Sequence, residues 1–180
     1  MGRPDGKVVK ELPNYRRFMP YFLRHKYESL FYWQYDFKAE PGLEFVEKVS
    51  REYGVKATFF HLFTHCLLKT MVKYPGINRF AKGGRIYQRN GIWFSFSVKK
   101  ERSLKSKVSV VKKEFKPDFD FLDTIKTARK EIKETREGKK DEGDKEAKGY
   151  LFFPGFLIRI GYHIYKFMDE HGLFSKRYIE

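Results

Sequence analysis

The sequence predicts an α+β protein, a mixed α/β two-layer sandwich in which helices pack on one sheet. Segments with strand patterns and segments with helical patterns alternate along the chain, with a hairpin signal near its middle. Residues 58–78 are apolar around most of a helical circumference, so we expect strands to cover this core helix. A chain of 180 residues with 18% aromatic content is long enough for a real core and suits one domain or two small ones; we assign residues 1–180 to a single domain.

The first forty residues are predicted to hold two strands and one short helix. Residues 6–12 have a strand pattern, and residues 15–26 form a helical pattern whose length Pro20 limits. Residues 29–37 are the clearest strand of the chain, because large aromatic side chains alternate onto one face. Those side chains are Phe31, Trp33, Tyr35 and Phe37.

Two helices are predicted next. Residues 41–54 are amphipathic, with a proline in the first turn and Gly54 placed to end the helix in a left-handed conformation. Thr58 is a good N-cap for the core helix, because its hydroxyl can accept from an N–H of the first turn. Pro75 and Gly76 end that helix, which is apolar enough to be buried on more than one side.

Strands are predicted at residues 78–80, 85–88 and 92–99. The glycine pair at 83–84 separates the first two as a turn. The Asn-Gly pair at 90–91 is the strongest short hairpin signal, because both residues tolerate positive φ, and it predicts that the second and third strands pair. Serines alternate with aromatic residues in the third strand, so its two faces differ in chemistry.

The C-terminal part is predicted to contain one more strand and two helices. A strand covers residues 107–115, and Asp118 or Asp120 opens a helix with an apolar face. Residues 134–149 are almost free of apolar side chains, which predicts a charged flexible loop. The last helix covers residues 150–172 and is strongly apolar.

Charge and cysteine content restrict the functions to consider. Lys and Arg number 38 against 23 Asp and Glu, and the formal net charge of +15 favours anionic partners. Cys66 is the single cysteine, which excludes an intrachain disulfide and a four-cysteine metal site. The first residues lack the apolar run of a secretory signal, so a cytoplasmic location is expected.

His61 and His65 lie four residues apart on the core helix, a spacing that can place both on one metal ion. Zinc-protease helices carry Glu directly after the first His, and Leu62 stands there instead. The sequence therefore favours two histidines on the wetter edge of a buried helix, and no metal site is predicted.

Residues 99–116 carry eight basic and two acidic side chains, a composition suited to phosphate contacts. No helix-turn-helix, zinc-finger or RNA-recognition motif accompanies them. A solvated strand-and-loop surface is therefore favoured over a nucleic-acid site.

Residues 150–168 approach the length that spans a bilayer. Arg159, His163 and Lys166 recur along one side of this helix, and charges at the centre of a bilayer are costly. The pattern favours a helix docked on protein, or one that lies in a membrane interface, over a spanning helix.

Residues 15–98, and more loosely the chain as far as Glu180, resemble the CoA-dependent acyltransferase fold of chloramphenicol acetyltransferase and of the 2-oxoacid dehydrogenase E2 catalytic domain. Arg-Arg-Phe-Met at 16–19 precedes an aromatic strand that ends at Asp36. The Thr-Phe-Phe start of the core helix and the Pro-x-x-Asn at 75–78 are similar to the family's helix, and two later strands resemble its paired strands. The resemblance implies a chloramphenicol acetyltransferase-like fold, coenzyme A as substrate with no covalent cofactor, and a homotrimer.

The family's catalytic His-x-x-x-Asp-Gly motif is absent from these 180 residues. In the family this histidine is the general base, so no catalytic residue can be assigned here. The resemblance then implies a fold incomplete at the C-terminus and inactive alone: a truncated product, half of an enzyme completed by a C-terminal-half chain, or a degenerate relative. Candidate cofactor-binding residues, for the phosphates and channel of CoA, are Ser95, Ser97, Lys99, Lys100 and Arg102.

Two functions of other classes stay open. The charge also suits a basic module that binds nucleic acid or an anionic membrane surface. A non-enzymatic partner that completes its sheet with another chain is the third possibility. Affinity that falls with rising salt would favour nucleic acid, whereas retention of CoA would favour the acyltransferase.

Overall fold

The computed structural model describes residues 3–23, 25–101, 103, 106, 108–138 and 153–173. Its helices and small antiparallel sheets confirm the α+β class. The chain divides into two compact units. Unit 1 comprises Met1–Phe31, Pro75–Asn90 and Glu142–Glu180, and unit 2 comprises Tyr32–Tyr74 and Gly91–Asp141.

Unit 1 contains a three-stranded antiparallel sheet in the order β1–β3–β2. Strand β1 is Gly6–Val8, β2 is Arg79–Lys82 and β3 is Arg85–Arg89. Helix α1, Asn14–Phe22, accommodates a proline two residues before its end. The C-terminal helix of the described residues, α5, is Gly155–Glu170.

The turn between β2 and β3 confirms one prediction and corrects another. Gly83 and Gly84 connect the two strands with φ values of 54° and 72°, a region that glycine enters without steric cost. The hairpin predicted at Asn90-Gly91 is wrong, because the strands on either side of this pair belong to different sheets. Strand β3 already lies between β1 and β2, so neither of its edges is free.

An ion network joins distant segments of unit 1. Arg3 is buried and donates to Asp5 at 2.9 Å and to the Asp169 carboxylate at 3.0 Å. Lys82 pairs with the same carboxylate. Burial acts to raise the pKa of Asp169, but hydrogen bonds from Lys82 and Arg3 outweigh it and hold this pKa below its ordinary value. The network ties the start of the chain and β2 to the end of α5.

Unit 2 packs helices against one face of a two-stranded antiparallel sheet. The strands are β4, Ile92–Lys99, and β5, Val108–Phe115. Helices α3, Phe59–Lys73, and α4, Phe121–Arg136, contact this sheet, and α2, Glu40–Tyr53, packs on α3. Helices pack on a sheet here as predicted, but the prediction of one sheet is wrong, because the described strands form two separate sheets, one in each unit.

The core of unit 2 consists of two hydrophobic clusters. One cluster joins Val46 and Val49 of α2 to Ile125 of α4, and Ile125 is 1% exposed. Another places Leu68, 0% exposed, against Ile92 of β4. Their remaining buried members are Ala57, Phe115 and Phe119.

Helix α3 is buried along one stripe, made by His61, Thr64 and Leu68. The prediction that it is buried on more than one side is wrong, since Phe63 is 57% exposed and Cys66 is exposed too. A sheet of two strands covers only one side of a helix. The apolar residues on the other side therefore stay at the surface.

Helix ends follow local chemistry. Gly54 ends α2 at φ 60°, and the Asp120 carboxylate accepts from the Asp123 N–H at 2.6 Å to cap α4. At the start of α3 Thr58 and His61 form a reciprocal capping box: the Thr58 side chain faces the His61 N–H, and the Thr58 N–H donates to the His61 ring at 3.0 Å. The predicted starts of α2, α3 and α4 are thus confirmed, whereas the helix predicted from residue 150 begins at Gly155.

The strand predicted at residues 29–37 is wrong. Lys26–Ser29 form a 3₁₀ turn, and residues 30–39 pair with no described strand. Phe31 is 85% exposed and Trp33 is 82% exposed. An alternating pattern forms a strand only where its N–H and C=O groups pair with another strand, and residues 30–39 pair with none of the described strands.

The charged loop predicted at 134–149 begins later than expected. Residues 134–136 complete the last turn of α4, and residues 139–152 lie outside the described residues.

Candidate functional site

Three of the predicted cofactor-binding residues share one face of β4. Ser95, Ser97 and Lys99 are exposed, whereas Ile92 and Val98, on the opposite face of the strand, are buried. In the antiparallel register, Ser95 lies opposite Lys112, Ser97 opposite Val110 and Lys99 opposite Val108. The serine face is therefore the uncovered face of this sheet.

Two of these residues border a cavity of about 210 Å³ in unit 2. Ser97 and Lys99 line it together with residues of α3 and α4. Because successive side chains of a strand point to opposite faces, a cavity bordered by four consecutive strand residues lies along the edge of the strand. The full lining is Phe60, Phe96, Ser97, Val98, Lys99, Ile132 and Arg136.

The other predicted site residues are not part of this cavity. Ser95 lies on the same strand face but does not line it. Lys100 is half-buried just after β4 and does not line it either. Arg102 lies outside the described residues.

Arg136 is the site residue that the sequence interpretation missed. It lies in the last turn of α4, four residues after Ile132, so both occupy one side of the helix. That spacing was the available signal. What the sequence did not reveal is that the end of α4 comes close to the end of β4.

The cavity carries positive charge at two points. Lys99 and Arg136 are both exposed, and no carboxylate among the described residues forms an ion pair with either. Phe60 and Phe96 lie edge to face, with ring centroids 5.4 Å apart, and give the cavity an aromatic wall. Such a site suits an anionic group with an apolar neighbour.

His61 is buried, at 4% exposed, and does not occupy the wetter edge predicted for it. Its Nδ1 accepts from the Thr58 N–H at 3.0 Å, so Nε2 carries the proton of the neutral ring. Among the described residues Nε2 has no hydrogen-bond partner, and neither does the buried hydroxyl of Thr64 one turn later. Burial, and secondarily the charge of Arg129, lowers the pKa of His61 below its usual value.

His65 is half-buried and bonded differently. Its Nδ1 lies 3.0 Å from the Thr124 hydroxyl, and its ring meets Phe119 and Phe121 edge to face. Burial first, and Lys69 second, lower its pKa. The two histidines thus face separate partners, and within the described part of the chain no group of three potential metal ligands forms.

Helix α5 shows an amphipathic surface. The polar stripe predicted from Arg159, His163 and Lys166 is opposed by a wide apolar arc, and no residue of the helix is buried. Phe156 is 64% exposed and Ile164 is 56% exposed. Among the described residues, none of the helices has both the length and the apolar character needed to cross a bilayer.

Comparison of the chain with protein-family models, with curated proteins and with solved structures finds no match.

Proposed function

We propose that this chain forms part of a CoA-dependent acyltransferase of the E2 and chloramphenicol acetyltransferase type. In this proposal the 180 residues bind the acyl-CoA but do not supply the general base that transfers its acyl group. The sequence motifs of residues 15–98 and the layering of helices on one sheet face in unit 2 support it. Assembly as a homotrimer, or with a chain that carries the missing base, belongs to the same proposal.

The cavity beside β4 is the observation that carries the proposal. Lys99 and Arg136 offer charged donors for a phosphate, and Ser97 offers a hydroxyl. At about 210 Å³ the cavity is smaller than the roughly 300–1,000 Å³ of a typical ligand site, so it suits one portion of CoA. We assign it to a phosphate of the nucleotide end.

The edge of β4 provides a second element of recognition. In the described part of the molecule β4 pairs with β5 alone, so its other edge keeps unpaired backbone groups. The pantetheine arm of CoA contains two amides, which can bond to such an edge as an added strand does. The arm then runs along β4 from the phosphate held by Lys99 and Arg136.

Equilibrium dialysis of acetyl-CoA against the chain tests this assignment. We expect Lys99→Ala and Arg136→Ala each to weaken binding about tenfold, because each removes a charge-assisted hydrogen bond to phosphate. Lys126→Ala is the matched control: this exposed lysine of α4 does not line the cavity, and its loss should change binding less than about twofold.

Pantetheine, which has no nucleotide phosphate, separates the two elements of recognition. It should bind the parent chain and the cavity variants equally, since its contacts are to the strand edge. Failure of the parent chain to retain acetyl-CoA would contradict the proposal. Equal weakening by all three substitutions would contradict the cavity as its site.

A second function is favoured by the surface of α5: contact with an anionic membrane. The wide apolar arc and the cations Arg159 and Lys166 are the arrangement of a helix that lies in the interface plane. Sedimentation with vesicles of phosphatidylserine and phosphatidylcholine tests it. Binding should disappear in Ile160→Ser/Ile164→Ser and in vesicles of phosphatidylcholine alone, whereas duplex DNA should not compete.

A further inference from the structure

Unit 1 contains a groove of about 730 Å³ between α1 and the sheet. Its floor is apolar, formed by side chains that include Leu12 and Ile86. Its volume lies within the roughly 300–1,000 Å³ of small-molecule sites, so it is large enough for a whole ligand of moderate size.

Three cations from three segments border this groove. Lys10 follows β1, Arg17 lies on α1 and Arg85 begins β3. All three are exposed, and none forms an ion pair with a described residue. None of the described residues that line the groove carries a carboxylate. The charge around the groove is therefore uncompensated and attracts an anion.

Aromatic rings stand next to these cations. Phe18 and Tyr21 project from α1 into the same groove, and their ring centroids are 6.1 Å apart. The Tyr21 ring lies directly over Gly84, where an added Cβ would come within 2.7 Å of the ring. Gly84 also has φ +72°, so the turn that supports this ring requires glycine on two grounds.

We propose that this groove binds a nucleoside phosphate. Arg17 and Arg85 hold the phosphate, because one guanidinium group can donate two parallel hydrogen bonds to phosphate oxygens. Lys10 adds a point charge, and the base stacks on Phe18 or Tyr21, as bases do on exposed aromatic side chains. The inference does not rest on the acyltransferase proposal. The nucleotide can be free, or it can be the adenosine end of CoA, in which case this groove and not the cavity beside β4 holds that end.

Calorimetric titration with adenosine 3′,5′-bisphosphate at physiological salt tests the groove. Arg17→Ala and Arg85→Ala should each weaken binding about tenfold. The matched control is Arg16→Ala. Arg16 precedes Arg17 on the same helix, is also exposed, donates to the Tyr15 hydroxyl at 3.2 Å and does not line the groove. This substitution removes the same charge and should weaken the affinity for the bisphosphate less than about twofold.

A second pair of probes tests the stacking contact. Phe18→Leu keeps an apolar side chain but removes the ring. It should weaken binding of the bisphosphate about threefold or more and leave the affinity for inorganic phosphate unchanged. Circular dichroism of each variant should match that of the parent chain. Nucleotide affinity weaker than millimolar, or equal losses in Arg16→Ala and Arg17→Ala, would overturn the proposal.

Titration with CoA distinguishes the two sources of the nucleotide and separates this proposal from the previous one. CoA binding that depends on Arg17 and Arg85 supports the adenosine end of CoA as occupant. CoA binding that depends on Lys99 and Arg136 alone, with no bisphosphate binding, overturns the groove and leaves the acyltransferase proposal standing. Bisphosphate binding lost in Arg17→Ala, with no affinity for CoA, supports a free nucleotide and contradicts the acyltransferase.

Discussion

Helices α4 and α5 have the same length, 16 residues, but only α4 has buried residues. Helix α4 carries eight charged side chains and buries five residues, among them Ile125 and Thr124. Helix α5 carries four charged side chains and buries none. Apolar content therefore does not decide burial in this molecule. What decides it is whether a complementary surface is present, as β4, β5 and α3 are for α4.

The largest expected difference between the two helices is in the cost of removing an isoleucine. Ile125→Ala leaves a cavity in the core of unit 2 and should lower the free energy of unfolding by about 3 kcal/mol. Ile164→Ala on α5 removes a side chain that is already 56% exposed. It should change the free energy of unfolding by less than about 0.5 kcal/mol. Urea denaturation measures both. Similar losses would mean that α5 is as well packed as α4.

The next effect concerns the buried carboxylate of α4. Glu131 is 2% exposed and pairs with Lys113 of β5 at 3.2 Å. Lys113→Met weakens the compensation of that charge, and should cost about 1–3 kcal/mol of unfolding free energy. The control is Lys130→Met, because Lys130 pairs at 3.9 Å with Glu134 and its side chain is largely exposed. Lys130→Met should lower the free energy of unfolding by less than about 1 kcal/mol. Equal losses in the two variants would contradict the pairing of Lys113 with a buried carboxylate.

A smaller effect distinguishes the two aspartates that the sequence offered as caps. Asp120→Ala removes the acceptor of the Asp123 N–H at the start of α4 and should cost about 1 kcal/mol. Asp118→Ala removes the same charge two residues earlier, at an exposed position, and should cost much less. Thermal unfolding compares them. Equal effects would indicate general electrostatics in place of capping.

The smallest effect is a dependence of stability on pH through α3. The folded pKa of His61 is lowered, so below the ordinary value of about 6.5 the unfolded chain takes up a proton that the folded chain does not. The free energy of unfolding should therefore be retained above about pH 6.5. It should fall as the pH drops from about 6.5 toward the lower pKa of His61 in the folded chain. His61→Gln should make the fall shallower. An unchanged profile in that variant would contradict burial of a neutral ring.

Local features of the fold were predictable from local patterns. The periodicity of residues 92–99 predicted β4 to the residue, and the alternation of serines with aromatic residues predicted its two faces. Gly54 and Pro75 fixed helix ends because their backbone restrictions act without neighbours. These predictions depend only on residues close in sequence.

The errors concern partners that are distant in sequence. Asn90-Gly91 permits a hairpin, but β1, eighty residues earlier, occupies the edge of β3 that the hairpin would need. Residues 29–37 have a strand pattern but pair with none of the described strands. Arg136 joined Ser97 and Lys99 only through the packing of α4 on the sheet. Pairing and packing of this kind have no signature within one segment of sequence.

Turnover and retention of acetyl-CoA, measured in the same sample of the 180-residue chain, test the proposed function most directly. The account predicts that acetyl-CoA is retained, that retention weakens in Lys99→Ala and Arg136→Ala, and that no CoA thiol is released when acceptor thiols or alcohols are added. Release of CoA thiol by the unaided chain would contradict the absence of a general base. A parent chain that retains no acetyl-CoA would contradict the acyltransferase assignment itself.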